Sequence, residues 1–107
     1  MTARLLLSDC GARFAGVRDM AQLVHEHRAV IRTPSGAIYV ARTYAEQLPH
    51  GVWIGWLEFT PVSGGPTLRT DFETSQPTLE MVAYWASGLE PVYFEGAFER
   101  AHVIAAT

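Results

Sequence analysis

A chain of 107 residues, 49% apolar and 18% charged, has material for one hydrophobic core and is too apolar to remain disordered. Its formal net charge of −3 lacks the basic footprint of a nucleic-acid binder, and no window approaches the length of a membrane span. Cys10 is the single cysteine and cannot close an internal disulfide, which sets the expectation of a reducing, cytoplasmic setting and one domain over residues 1–107.

Residues 1–15 read either as a short extra strand, through ARLLL, or as a poorly ordered tail. The three-leucine run is too short for the core of a secretory signal. Cys10 stands beside Asp9, and an anionic neighbour does not activate a thiol, so it reads as structural or incidental. From Gly16, Val17, Met20, Leu23 and Val24 follow the three-and-four spacing of a helical face, with Asp19 in the first turns, and the helix should fade near HEHR. Strand signals then take over: AVIR (Ala29 to Arg32), AIYVARTY (Ala37 to Tyr44), VWIGWLEFT (Val52 to Thr60) and LRTDFET (Leu68 to Thr74). TPSG, EQLPHG and PVSGGP separate them as turns and loops, and short connections of this kind imply an antiparallel meander.

After Gln76 the period changes again. Pro77 fits a helix start, Leu79, Val82, Ala83 and Ala86 form one stripe, and Gly88 fits a stop. Pro91 fits the start of a last helix with Phe94, Ala97, Phe98 and Ala101 on one face, although Gly96 weakens it. The expected fold is therefore α+β: a two-layer domain in which about four antiparallel strands pack against an N-terminal helix and two C-terminal helices.

The third strand carries large apolar groups on both faces, Trp53, Leu57 and Phe59 on one and Ile54 and Trp56 on the other. A sheet with one wet face alternates apolar with polar, so the second face should meet a symmetry mate, the N-terminal segment or a ligand.

Together, YVAR (Tyr39 to Arg42), GWLEF (Gly55 to Phe59), LRTDFETSQP (Leu68 to Pro77), YWASGLEPVYFEGA (Tyr84 to Ala97) and ERA (Glu99 to Ala101) resemble a family of small uncharacterised bacterial proteins. The resemblance covers roughly the last two-thirds of the chain. It implies a bacterial source and carries no activity, so no catalytic residue follows from it.

Three constellations bear on function. Arg69, Asp71 and Glu73 share one face if LRTDFET is a regular strand, and Glu58 and Arg42 join them if register permits. Carboxylates beside an arginine can do acid–base work, but a solvated face of cross-strand ion pairs is the commoner outcome. His25 and His27 stand at a spacing that shares a face on a strand and not on a helix, and with His50 and His102 they are not diagnostic of a metal site. Trp53, Trp56, Tyr84, Trp85, Tyr93 and Phe94 supply aromatic bulk suited to a core and its margins.

The expectation is a non-enzymatic binding or assembly module without a cofactor or metal. Its partner is a second copy through one sheet face or the last helix, or another protein. The alternative is a small ligand-binding or hydrolytic domain with a floor of Arg42, Glu58, Arg69, Asp71 and Glu73 and walls of Trp56, Tyr84, Trp85 and Tyr93.

Overall fold

A computed structural model describes residues 20–104; the expected strand or tail over 1–15, Cys10, and the first residues of the expected N-terminal helix, Val17 and Asp19 among them, lie outside the described residues. In chain order the elements are β1 (Gln22–Arg32), β2 (Ile38–Gln47), β3 (Trp53–Pro61), β4 (Leu68–Arg69), β5 (Thr74–Gln76), α1 (Leu79–Ser87), α2 (Pro91–Arg100) and β6 (His102–Val103). The strands form one antiparallel sheet in the order β1-β2-β3-β4-β6, and β5 pairs with β3 farther along the edge that β4 occupies.

This architecture corrects the expected one. There is no helix across Leu23, Val24 and HEHR; those residues belong to β1, and among the described residues the helices are two, both after the main strands. The physical reason lies in the period. From His25 to Arg32, half-buried residues (His25, His27, Ala29, Ile31) alternate with exposed ones (Glu26, Arg28, Val30, Arg32), which is the period of a strand. Leu23 and Val24 fit a helical stripe only because the ladder is irregular there. β1 shifts register against β2 between Leu23 and His25 and again between Glu26 and Val30.

Both helices cover one face of the sheet. Ala41 of β2, Leu57 and Phe59 of β3, and Phe94 and Ala97 of α2 form the buried cluster, with Ile31, Tyr39, Leu68 and Phe98 packed around it. Phe98 meets Phe59 and Tyr39 edge-on at ring separations of 5.3 and 4.9 Å. Each large side chain buried this way contributes about 1.5–3 kcal/mol. α1 is set by Thr78, whose Oγ1 accepts the N–H of Met81 at 3.2 Å, and ends at Gly88, whose N–H bonds back to the carbonyl of Trp85. α1 comes close to the sheet at Gly55, where an added Cβ would lie 3.0 Å from both Thr74 Cγ2 and Val82 Cγ1.

The expected strand LRTDFET is interrupted. Register runs Phe59↔Leu68 and Glu58↔Arg69, then resumes at Gly55↔Thr74 and Ile54↔Ser75, so Trp56 and Leu57 of β3 face Thr70, Asp71, Phe72 and Glu73. Thr70 holds this bulge in place. It is fully buried, its N–H bonds the Leu57 carbonyl, and its Oγ1 accepts the Leu57 N–H at 3.1 Å while donating to the Asp71 carbonyl at 2.8 Å. The side chain thus replaces the strand backbone as the partner of β3, which keeps buried polar groups satisfied.

Candidate functional site

The face opposite the helices carries the candidate site, and sheet register builds it. Glu26 of β1 stands opposite Arg42 of β2, Arg42 opposite Glu58 of β3, and Glu58 opposite Arg69 of β4. The result is a row of alternating sign across four strands. At its open end, Arg42 Nε donates to Glu26 Oε2 at 3.1 Å. Farther in, Glu58 is buried and accepts the Trp56 indole N–H at 3.0 Å. Residues directly opposite on one face lie about 5 Å apart, so each charge has an opposite neighbour within the row.

A second row, mainly apolar, runs beside the first. Leu23 stands opposite Tyr44, and Tyr44 opposite Trp56. The Tyr44 and Trp56 rings are near-parallel with centroids 6.4 Å apart. The Arg69 guanidinium lies 4.8 Å from the centre of the Trp56 ring, and Phe72 meets the same ring from the bulge at 6.1 Å. A cation over an indole face contributes about 0.5–2 kcal/mol, so Arg69 is held by the ring as well as by its place in the row. Val30 and Phe72 remain 49% and 57% exposed on or beside this face, while Trp56 is buried.

The remaining expected residues go elsewhere. Asp71 lies in the bulge with its side chain 94% exposed, 3.9 Å from His102. Glu73 turns to the helix side, where it accepts hydrogen bonds from the Tyr93 hydroxyl and the Arg100 guanidinium. Burial and that carboxylate, in this order, push the Tyr93 hydroxyl up to about 12. Trp85 packs edge-on against the Tyr93 ring at 6.0 Å, and Tyr84 points to solvent on α1. Register therefore brings together Arg42, Glu58, Arg69 and Trp56. It separates them from Glu73, Trp85 and Tyr93, which fasten the bulge to α2, and from Asp71 and Tyr84.

Glu26, Tyr44, Phe72, Thr70 and Arg100 complete these arrangements and were not singled out by the sequence. For Glu26 the signal was present: HEHRAVIR alternates, and as a strand beside YVARTY it places an acid near Arg42.

Neither of the two grooves found among the described residues joins Glu58, Asp71 and Glu73. A shallow groove of about 430 Å³ runs between β1 and α2 over Ile31 and Phe98, rimmed by Arg32, Glu95 and Glu99, and a smaller one of about 260 Å³ lies between Leu23, Val24 and α1. Among the described residues no group of three or more His, Cys, Asp and Glu could hold a metal ion. His27 is a core-margin residue: its Nε2 lies 2.7 Å from Thr43 Oγ1 and its ring packs on Phe94 at 4.6 Å. Burial, then the neighbouring His25, lowers its pKa from 6.5 to about 4. Among the described residues, no helix is long and apolar enough to cross a membrane.

Comparison with protein-family models, with curated proteins and with solved structures finds no match, so no relative brings an activity to these residues.

Proposed function

We propose that this chain is a non-enzymatic binding and assembly module that associates with itself. The observation that carries the reading is the helix-free sheet face. There a register-matched row of opposite charges runs beside an aromatic row, with Val30 and Phe72 half exposed at its margins. Trp56 and Glu58 are buried, and around them exposed apolar side chains stand beside exposed Glu26, a mixture that protein interfaces use.

The alternative, a ligand-binding or hydrolytic domain, draws less support. Acid–base chemistry needs two groups within reach of one substrate. Glu58 lies on the helix-free face against Trp56, Glu73 lies on the helix side against Tyr93 and Arg100, and Asp71 is in solvent. Neither groove among the described residues gathers them.

Light scattering after size-exclusion chromatography tests the proposal across micromolar concentrations. The expected mass is that of an oligomer, falling toward the monomer on dilution. A monomer at every concentration would remove self-association.

A further inference from the structure

β1 is an end strand of the sheet. β2 pairs with one of its edges, and among the described residues no strand pairs with the other. An open edge presents backbone N–H and C=O groups to any extended chain. Along the first part of β1 this edge is blunted, because the ladder shifts between Leu23 and His25 and again between Glu26 and Val30. The last three residues, Val30, Ile31 and Arg32, pair regularly with Val40, Tyr39 and Ile38. The same three residues line the larger groove, whose other side is formed by Glu95, Phe98 and Glu99 of α2.

The groove has three parts of different chemistry. Its floor is apolar: Ile31 and Phe98 are half-buried, with Val30 and Pro34 exposed beside them. Its wall is acidic. Glu95 and Glu99 stand one helical turn apart on α2, both exposed, and among the described residues neither takes part in an ion pair. Two acids against Arg32 leave the lining residues net negative. Its open side is the backbone edge of β1.

We infer that an extended peptide segment of another protein, with basic and apolar side chains on one face, adds to the sheet along residues 30–32 and fills this groove. Successive side chains of an added strand point to opposite faces. One that turns to the helix side meets Ile31 and Phe98. Its neighbours on that side lie about 7 Å away along the strand, within reach of the glutamate wall. Backbone hydrogen bonds supply affinity and the groove chooses the side chains, as in other cases of strand addition. A basic side chain is selected because an acidic one would meet its own sign. The site lies apart from the helix-free face and does not depend on self-association.

A second copy fits this edge less well. A twofold pairing of two 30–32 runs would bring Glu95 and Glu99 of both α2 helices to one junction, and like charges disfavour it.

The test uses the full chain, labelled with nitrogen-15, and synthetic peptides read by amide chemical shifts. The probe is a seven-residue peptide in which threonines alternate with arginine, leucine and arginine. A second peptide has glutamate in place of arginine. Two more carry N-methyl groups on one or the other alternate set of residues of the probe. The probe should shift the amides of residues 30–32 and 95–99 and leave those of β4 and β6 in place. One N-methyl set should abolish binding and the other should retain it, because alternate N–H groups of a strand point to its neighbour. The glutamate peptide should bind about tenfold more weakly. In Glu95→Arg/Glu99→Arg the preference should reverse, with circular dichroism to confirm folding. If that variant fails to fold, Glu95→Gln/Glu99→Gln should weaken the probe by about the same factor.

Shifts at the groove, with these two dependences, support the inference. No shift up to about millimolar probe overturns it, as do shifts confined to other elements. Equal binding of both N-methyl sets overturns strand addition, and equal binding of the arginine and glutamate peptides overturns the choice of a basic partner. Movement of the 30–32 amides on dilution without peptide overturns it in favour of a second copy at this edge.

Discussion

Acidification should loosen the seat of α2, and His27 is the reason. Its ring lies between Phe94 of α2 and Thr43 of β2, with the His25 ring 4.6 Å away. Burial and His25 hold its pKa near 4, against 6.5 in the unfolded chain. The folded state therefore resists protonation more than the unfolded state does. Stability from this group is complete above pH 6.5 and is lost as pH falls from there toward 4. The full interval, at about 1.36 kcal/mol per pH unit, would be worth about 3 kcal/mol. Because the ring is only half-buried, water screens part of this, and about 1–2 kcal/mol is the expected loss. In a domain of this size that lowers the melting temperature by roughly 5–10 °C. The assay is thermal unfolding of wild type and His27→Phe between pH 7 and pH 4. Phenylalanine retains the packing on Phe94 but leaves the Thr43 hydroxyl without its partner, so the variant should start less stable at pH 7. The gap between the two proteins should then narrow on acidification, by the 1–2 kcal/mol assigned to His27. A gap that stays constant across this range would refute the assignment.

Two other expectations follow from close contacts. Gly55→Ala puts a Cβ 3.0 Å from Thr74 Cγ2 and Val82 Cγ1, where both neighbours are held by β5 and α1. Urea unfolding should show a loss of about 1–3 kcal/mol, the usual result of overpacking, and a midpoint at or above that of wild type would mean α1 sits farther from β3 than described. Tyr93, held protonated by burial and by Glu73, should ionise only at about pH 12. Its neutral form is favoured on folding, so its contribution is present below pH 10 and lost as pH rises through 12. Ultraviolet titration of wild type and Tyr93→Phe checks this: the variant should lack the ionisation near pH 12, and an unchanged upper limb would place that ionisation elsewhere.

β2, β3 and both C-terminal helices were legible because their periods are unambiguous, whereas the six-stranded sheet as a whole was not. IYVARTYAEQ and WIGWLEFTP read as long strands, and the helix starts at Thr78 and Pro91 lie close to the prolines that signalled them. The N-terminal half of β1 was not legible. Leu23 and Val24 complete a helical stripe, and the register shift around Val24, which lets two adjacent apolar residues sit in one strand, is a property of pairing with β2 and not of the segment itself. The bulge at 70–73 was hidden for a related reason. A threonine side chain replaces a backbone partner there, so LRTDFET keeps strand alternation in sequence while Phe72 and Glu73 turn to opposite sides of the sheet. The site was therefore half readable. Arg42, Glu58 and Arg69 meet because register permits it, whereas Asp71 and Glu73 leave the row where the strand breaks.

The most direct measurement is covalent surface labelling of the side chains, read by mass spectrometry, on wild-type protein below and above its association concentration. Val30 and Phe72 on the sheet side should lose reactivity as the protein associates, while Tyr84 and Val92 on the helices react equally at both concentrations. Protection of Tyr84 and Val92, with Val30 and Phe72 unchanged, would place association on the helices and contradict the role assigned to the helix-free face.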